Sequence, residues 1–394
     1  MDNRISLRAG SIKPSATLSV TAKAGELRAA GRDILSLSAG EPDFDMPQHV
    51  KDAAVAAINA GQTKYTPVDG TPALKEAVIA KFERENQLRY QASEILVSCG
   101  AKHSIYNLMQ ATLNPGDEAI IPAPYWVSYP DMVRLAGAEP VIIRTSIDNN
   151  FKITAEQLRG ALNAKTKLVT LNSPSNPTGV NYSPAELADL AAVLREFPNA
   201  MVLTDDIYEH ILWTGDGFKN IVNVAPELAD RTVVVNGVSK AYSMTGWRIG
   251  YAAGPAPVIA AMKKIQGQST SNPTSISQAA AVAALAGDQG DIARNCQLFK
   301  DRHDYIVGRL NAIDGVSALP GDGTFYTFPD FSGVIERAGD MDNDVELAEY
   351  LLEKAGVALV PGSAFGAPGC MRISFATSME MLEQAADRMA DALA

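Results

Sequence analysis

The chain has 394 residues, of which 46% are hydrophobic and 20% are charged. A chain of this length buries a large core and typically divides into two domains, and the composition excludes disorder, collagen and coiled coil. The 34 lysines and arginines against 45 aspartates and glutamates give a formal net charge of -11. This charge opposes a general attraction to nucleic acid or to anionic lipid, so neither is predicted as a partner.

The cysteines and the N-terminus indicate where the protein resides. Cys99, Cys296 and Cys370 are too few and too scattered for a disulfide framework or a CxxC metal site, which favours a reducing compartment. The stretch 1–10 has no apolar signal core, and no window reaches 18 apolar residues. A cytoplasmic protein without a membrane segment is therefore predicted.

Short β-branched runs alternate with stretches of helical spacing such as Pro184–Leu194. The strand candidates are 95–98, 119–122, 141–144, 168–171, 201–204, 232–236 and 249–252. Strands that alternate with helices in this way predict an α/β fold whose mostly parallel sheet is covered by helices.

The pattern of predicted helices and strands changes near residue 287. Long amphipathic segments follow at 292–310 and 344–355, with strand candidates at 324–328, 357–360 and 371–375. We therefore predict a large domain at 46–286 and a smaller α+β domain at 287–394. Proline and glycine punctuate the first 45 residues, and we predict that 1–45 form an N-terminal arm that joins the small domain.

The residues just after the predicted strands suggest chemistry, because ligands of open α/β sheets lie beyond the carboxyl ends of the strands. These strand ends carry Gly100-Ala101-Lys102, Tyr125-Trp126, the segment 172–179, Asp205 to Tyr208, and Ser239-Lys240. A lysine amine can hold a carbonyl as a Schiff base, a carboxylate can keep a ring nitrogen protonated, an aromatic ring can stack, and helix N–H groups can hold a phosphate. Pyridoxal 5'-phosphate has a group for each of these four interactions: a carbonyl, a ring nitrogen, a flat ring and a phosphate.

The segment 239–251, Ser-Lys-Ala-Tyr-Ser-Met-Thr-Gly-Trp-Arg-Ile-Gly-Tyr, resembles the cofactor-lysine signature of class I aminotransferases, the fold type I enzymes of the aspartate aminotransferase family. Further matches, in family order over most of the chain, are Gly40 to Phe44, Lys64 to Pro67, Pro124 to Tyr129, Asn176 to Gly179 and Met371 to Ala376. The resemblance, which is to the bacterial-type aspartate/prephenate aminotransferase group, implies a fold type I structure and pyridoxal phosphate as cofactor.

The resemblance also implies catalytic roles. Lys240 binds the cofactor covalently and then moves a proton between the substrate α-carbon and the cofactor. Asp205 pairs with the pyridine nitrogen; Asp206 competes for this role, but only Asp205 matches the family's Asp-x-x-Tyr spacing to Tyr208. Tyr208 and Asn176 donate to the phenolic oxygen. The ordinary alternatives are a surface lysine for Lys240, a helix N-cap for Asp205 and core packing for Tyr208.

The resemblance also implies which residues hold the pyridine ring and the phosphate of the cofactor. Trp126 stacks on the pyridine ring, an assignment that depends on the flanking motif because an aromatic after a strand is usually core. Arg248 and the backbone of Gly100, Ala101 and Lys102 bind the phosphate. The family often has a hydroxyl residue where this chain has Gly237, so Ser239 or water is expected to replace that donor.

The substrate and the subunit arrangement are also implied by resemblance. Arg372 is the bidentate donor to the substrate α-carboxylate. The Gly40 backbone, Asn176 and Trp126 are the other residues implied to bind the substrate there. Tyr65 reaches the phosphate of the neighbouring subunit, which implies a homodimer with shared active sites.

Four residues bear on the substrate side chain. Lys102 matches a lysine that meets the distal carboxylate of aspartate or glutamate. Lys13, Ser15 and Thr17 lie in an arm segment that lines the side-chain pocket and in some relatives admits prephenate. A solvated surface lysine remains the alternative for Lys13. No metal is predicted, because the four histidines have no metal-ligand spacing.

The predicted function is a ping-pong transamination between an acidic L-amino acid and a 2-oxo acid. Prephenate as an additional acceptor, neutral or aromatic amino acids as substrates, and a β-eliminating lyase on the same fold are the alternatives among enzymes. A non-catalytic ligand sensor is the alternative of another class.

Overall fold

A seven-stranded sheet organises the larger part of the molecule in the computed structural model, which describes residues 4–215, 217–339 and 341–394. The first three residues of the predicted arm lie outside the described part. The strands are β1 (Leu35–Ser36), β2 (Ile95–Ser98), β3 (Glu118–Pro122), β4 (Glu139–Ile143), β5 (Thr166–Asn172), β6 (Met201–Asp205), β7 (Thr232–Gly237), β8 (Gly250–Ala253), β9 (Tyr326–Thr327), β10 (Val357–Ala358), β11 (Val360–Pro361) and β12 (Met371–Ser374).

Helices lie on both sides of this sheet and form most of the remaining structure. They are α1 (Leu7–Gly10), α2 (Ala16–Ala29), α3 (Gln48–Asn59), α4 (Pro72–Lys81), α5 (Ala101–Thr112), α6 (Tyr129–Leu135), α7 (Ala155–Ala161), α8 (Pro184–Arg195), α9 (Ile221–Val224), α10 (Ala256–Gly267), α11 (Ser275–Ala286), α12 (Gly290–Leu310), α13 (Ser332–Ala338), α14 (Asp344–Tyr350) and α15 (Met379–Leu393). Short π-helical turns at 82–86 and 351–355 extend α4 and α14.

The strand order of the large sheet is β2-β8-β7-β6-β5-β3-β4. Neighbours pair in parallel except at β8, which runs antiparallel to both β2 and β7. The predicted α/β fold with a mostly parallel sheet is confirmed, and each predicted strand of this sheet is present within two residues of its expected ends.

Local sequence explains where these elements begin. Helix α8, for example, has Ser183 and Glu186 in a reciprocal capping box, and Pro184 occupies its first position, where no backbone donor is needed. Strand β7 is buried along its whole length, which suits its run of β-branched residues. The helix predicted at 344–355 is α-helical only to Tyr350 and then widens into the π turn.

Apolar side chains collect in separate cores on the two sides of the sheet and in the C-terminal part of the chain. The C-terminal core joins α12, α14 and α15 with Leu35 and Leu37 from the N-terminal segment. Strand β1 pairs in parallel with β10, and this pairing ties the N-terminal segment to the C-terminal part. The domain limits near residues 46 and 287 stay predictions. Among the described residues, no helix is both long and apolar enough to cross a membrane.

Candidate active site

A cavity of about 480 Å³ opens beyond the carboxyl ends of β5, β6 and β7, where the C-terminal part of the chain closes over the sheet. The predicted site residues that line it are Ser15, Thr17, Gly40, Ala101, Lys102, Trp126, Asn176, Asp205, Tyr208, Ser239, Lys240, Arg248 and Arg372. Residues separated by hundreds of positions thus meet at one edge of the sheet, as expected for parallel strands.

Lys240 follows β7 and projects its amine into this cavity. Its Nζ donates to the Gly40 carbonyl oxygen at 2.6 Å and lies 5.9 Å from the centre of the Tyr208 ring. Burial, followed by the positive charges of Arg372 and Arg248, lowers the pKa of Lys240 to about 8. A lysine with so low a pKa has an appreciable neutral fraction near pH 7, and the neutral amine is the form that attacks a carbonyl.

The two adjacent aspartates at the end of β6 point in different directions. Asp205 lines the cavity, accepts from the Tyr129 hydroxyl at 2.6 Å, and is 5% exposed. Asp206 instead accepts from Thr204 Oγ1 at 2.6 Å and from Asn220 Nδ2 at 2.8 Å, and it does not line the cavity. This placement favours Asp205 over Asp206 as the partner of a ligand. No helix begins at Asp205, so a helix N-cap does not explain it.

Burial raises the pKa of Asp205 to about 6, although the Tyr129 donor and the Lys240 charge oppose this shift. A carboxylate held in a buried, water-poor position interacts strongly with any cation brought beside it. The protonated nitrogen of a pyridine ring is such a cation.

Arg372, on β12, is the most enclosed cation of the site, with 2% of its surface exposed. Its Nη1 donates to Asn176 Oδ1 at 3.1 Å and its Nη2 to the Ser38 carbonyl oxygen at 2.8 Å, while its Nε is buried without a partner. The rings of Tyr326 and Phe365 flank the guanidinium at 4.4 and 5.2 Å. An unpaired buried donor is costly, so this group is suited to receive an anion.

The start of α5 and the Arg248 side chain form a close-packed cradle. Gly100 has φ of 88°, and a Cβ placed there would lie 2.6 Å from Arg248 Nη2. At Gly250 a Cβ would lie 2.0 Å from the Ala101 backbone nitrogen. The first turn of α5 has no side-chain cap, and the Arg248 guanidinium lies beside its N-cap residue Gly100. Such an arrangement suits a phosphate.

Lys102 and Trp126 lie together at the cavity wall, with Lys102 Nζ 4.8 Å from the centre of the indole ring. Although Lys102 is exposed as a residue, partial burial and the Arg248 charge lower its pKa. Lys13 lines an adjoining cavity of about 740 Å³, which shares Lys102, Ser15 and Arg248 with the first. Lys13 is therefore near the site but outside its central cavity.

Gly100, Tyr65 and Gly237 likewise do not line the central cavity of a single chain. Tyr65 is 92% exposed. Gly237 packs against β8, where a Cβ would lie 3.0 Å from Gly250 Cα, so a side chain at this position would be crowded. Ser239, in contrast, is buried and lines the cavity.

Three contributors were missed by reasoning from the sequence. Tyr326 lines the cavity and accepts from the Tyr208 hydroxyl at 3.2 Å. Glu41 accepts from Thr245 Oγ1 at 2.8 Å across the cavity mouth. Tyr129 holds Asp205. Tyr129 and Glu41 stand inside motifs already noted, but only a strand candidate marked Tyr326.

This donor set fits pyridoxal phosphate. A buried amine of lowered pKa, a buried carboxylate, an indole ring and a cradle for a phosphate line one cavity, and the Arg372 guanidinium remains available for a substrate carboxylate.

The profile of the aminotransferase class I and II family matches residues 32–389. An aspartate/prephenate aminotransferase of Nitrosomonas europaea is 54% identical over 99% of this chain and 100% of its own length. An aspartate aminotransferase of Bacillus sp. (strain YM-2) is 48% identical over 99% of each chain.

Solved structures agree. The aspartate aminotransferase of Rhizobium meliloti superimposes with a TM-score of 0.95 at 48% identity, covering 99% of this chain and 98% of that chain. That of Thermus thermophilus, solved with maleate, gives a TM-score of 0.93 at 43% identity, covering 98% and 99%.

The chain belongs to the aminotransferase class I and II family. It is a fold type I aminotransferase that uses pyridoxal phosphate, and its substrates are amino acids and 2-oxo acids.

Proposed function

We propose that this protein transfers the amino group between an acidic L-amino acid, aspartate or glutamate, and a 2-oxo acid in a two-half ping-pong cycle. The observation that carries the proposal is that, besides the Arg248 assigned to the phosphate, two cationic side chains, Arg372 and Lys102, line the same cavity as the Lys240 amine. A substrate with two carboxylates matches two such cations. The Thermus thermophilus relative was solved with maleate, which is a dicarboxylate.

Prephenate is proposed as an additional acceptor. The Nitrosomonas europaea relative carries both substrates in its name. Lys13, Ser15 and Thr17 extend the lining toward the adjoining cavity, where a bulkier dicarboxylate finds room beside Lys102.

When bound, pyridoxal phosphate supplies an electron sink that stabilises negative charge at the substrate α-carbon. Lys240 would hold the cofactor covalently, and its amine, once free, would move the proton to and from the substrate α-carbon. Asp205 would keep the ring nitrogen protonated, and Trp126 would stack on the ring. Tyr208 and Asn176 would donate to the phenolic oxygen.

The remaining residues bind and orient. Arg248, Ser239 and the N–H groups of Ala101 and Lys102 hold the phosphate. Arg372 binds the α-carboxylate in a bidentate manner, with Asn176 and the Gly40 backbone beside it.

A homodimer with shared sites is part of the proposal. Tyr65 is an exposed aromatic that finds no place in the cavity of its own chain, which suits a residue that serves the partner subunit's phosphate. We also propose a cytoplasmic location, supported by the three free cysteines.

Absorbance spectroscopy of the purified holoenzyme tests the substrate assignment. Aspartate, glutamate, alanine and phenylalanine are added singly, and loss of the near-visible cofactor band toward the pyridoxamine phosphate form is timed. We expect the two acidic amino acids to react fastest, and prephenate then to restore the band. Lys240→Ala, the control, should lack the covalent band and lose nearly all turnover.

Each alternative has its own outcome. Faster reaction of the neutral amino acids would overturn the acidic-substrate assignment. Release of pyruvate and ammonia from cysteine conjugates as the main reaction would identify a lyase. Failure of the wild-type protein to show a band even with added cofactor would remove Lys240 from its role.

A further inference from the structure

Tyr129 is a buried titratable side chain to which the proposed function assigns no role. It begins α6, is 2% exposed, and its hydroxyl donates to Asp205 Oδ2 at 2.6 Å. Among the described hydrogen bonds, this is the shortest that Asp205 makes, since the Ile207 amide reaches its other oxygen at 3.4 Å.

The same side chain contacts a second residue of the site. The rings of Tyr129 and Trp126 meet edge to face, with centroids 5.2 Å apart and planes at 85°. A backbone turn, Tyr129 N–H to the Trp126 carbonyl at 3.0 Å, sets this spacing. Tyr129 therefore contacts both the carboxylate that is proposed to pair with the ring nitrogen of the cofactor and the indole that is proposed to stack on the ring.

We propose that Tyr129 is a positioning residue whose hydroxyl sets how strongly Asp205 draws the proton of the cofactor nitrogen and whose ring holds Trp126 in its stacking orientation. This inference rests on the proposed function, specifically on the pairing of Asp205 with that nitrogen.

Electrostatics explains why a hydroxyl is useful here. Burial alone makes Asp205 a stronger base, and a stronger base pulls the shared proton away from the ring nitrogen. A hydrogen bond donated to the carboxylate stabilises its ionised form and leaves the proton on the ring. Burial and the neighbouring Asp205 charge raise the pKa of Tyr129 well above its usual value, so the hydroxyl stays a donor at any working pH.

The variant Tyr129→Phe keeps the ring and removes only the hydroxyl. Without the donor, the ring nitrogen carries less positive charge and repels the proton on the cofactor-bonded Lys240 nitrogen less. That nitrogen then keeps its proton to higher pH. We expect the pH titration of the visible absorption band of the holoenzyme to shift upward by about one pH unit, the size expected for one lost hydrogen bond to a charged group.

Tyr182→Phe is the matched control. The Tyr182 hydroxyl is also buried and accepts from the Ile153 amide at 2.9 Å, with no described contact to Asp205 or Trp126. Its titration should coincide with that of the wild type. Tyr129→Ala, which also removes the ring, should in addition weaken the circular dichroism of the cofactor band by half or more, whereas Tyr129→Phe should keep it.

Asp205→Asn in the same titration separates this inference from the proposed function. If Asp205→Asn shifts the midpoint and Tyr129→Phe does not, the role of the Tyr129 hydroxyl is wrong while that of Asp205 stands. If Asp205→Asn also leaves the midpoint unchanged, the proposed role of Asp205 itself is wrong. Unchanged dichroism in Tyr129→Ala would overturn the support of Trp126.

Discussion

At the scale of single residues, charge and burial determine what each group of the site can do. Lys240 shares its cavity with Arg372 and Arg248, and these two cations add to the effect of burial. The nearby carboxylates of Glu41 and Asp205 act in the opposite direction without outweighing it. The result is an amine prepared to react rather than one held permanently charged.

A pH dependence follows for the cofactor-free protein. Only the neutral amine reacts, and with a pKa of about 8 the neutral fraction rises as the pH passes 8 rather than 10.5. At pH 7 about one Lys240 in ten is neutral, against about one in three thousand for an ordinary lysine. We expect amine-selective labelling of Lys240, followed by peptide mass spectrometry, to reach its plateau above pH 9.

Lys300 provides the control in the same sample. Its hydrogen bond with Asp304 raises its pKa, so labelling of Lys300 should still increase beyond pH 10. Equal midpoints for the two lysines would contradict the perturbed amine of Lys240.

Lys102 is predicted to discriminate between substrates. Lys102→Ala should raise KM for aspartate and glutamate about tenfold more than for alanine and phenylalanine, because only the acidic pair has a distal carboxylate to lose a charge-assisted bond. Steady-state kinetics with the four amino acids measures the difference. Lys102→Arg, which keeps the charge, should retain most of the preference. An equal loss for all four substrates would assign Lys102 to the phosphate instead.

At the scale of elements, a buried ionic network around Glu209 holds the segment that follows β6. Lys81, at the end of α4, is fully buried and pairs with Glu209, while Asn86 Nδ2 and Asn236 Nδ2 donate to Glu209 at 2.6 and 2.8 Å. Burial opposes ionisation of Glu209, but the charges of Lys81 and His210 hold its pKa below the ordinary value. Because Glu209 adjoins Tyr208 and Asn236 is the penultimate residue of β7, the network connects two segments that carry site residues.

Removing the cation of this network should destabilise the protein. Lys81→Met removes the buried cation that pairs with Glu209 and leaves this carboxylate in the core beside His210 and two amide donors, which costs about 3–5 kcal/mol of unfolding free energy. Urea unfolding followed by far-UV circular dichroism, at one protein concentration, measures the change. Arg159→Ala breaks an exposed pair with Glu196 and should leave the curve unmoved. If Lys81→Met unfolded at the wild-type urea concentration, the ionic network would not support the fold.

At the scale of the whole molecule, the cavity wall is formed by both parts of the chain and by the N-terminal segment. Gly40 and Ser38 follow β1, which pairs with β10, whereas Arg372 comes from β12. Movement of the C-terminal part relative to the sheet would therefore change the site itself. The proposed partner subunit adds Tyr65.

Mixed dimers test that contribution. Lys240→Ala and Tyr65→Ala, each impaired alone, are unfolded together in equal amounts and refolded. If Tyr65 serves the partner's site, one site of each mixed dimer is intact, and about a quarter of wild-type activity at limiting cofactor should return. Activity no higher than that of Tyr65→Ala alone would place Tyr65 at its own site or outside both.

Much of this molecule follows from local sequence. Alternating β-branched runs and amphipathic stretches predicted the α/β fold and the strands of the central sheet, because burial on both faces demands such runs and each helix needs one apolar face. The strand-end rule likewise brought Asp205, Asn176 and Lys240 together, since parallel strands end at the same edge.

The sequence by itself therefore determined the family, the cofactor and most of the cavity lining, because these depend on short motifs and on local periodicity. The resemblance already favoured Asp205 over Asp206 through its spacing to Tyr208. Only the tertiary structure decided where these two side chains point, and that Tyr129 contacts Asp205 and Tyr326 contacts Arg372. Those contacts join residues 76 and 46 positions apart, and the direction of a side chain at a strand end depends on the packing around it. No local pattern encodes packing between distant segments, so it appears only when the chain is folded.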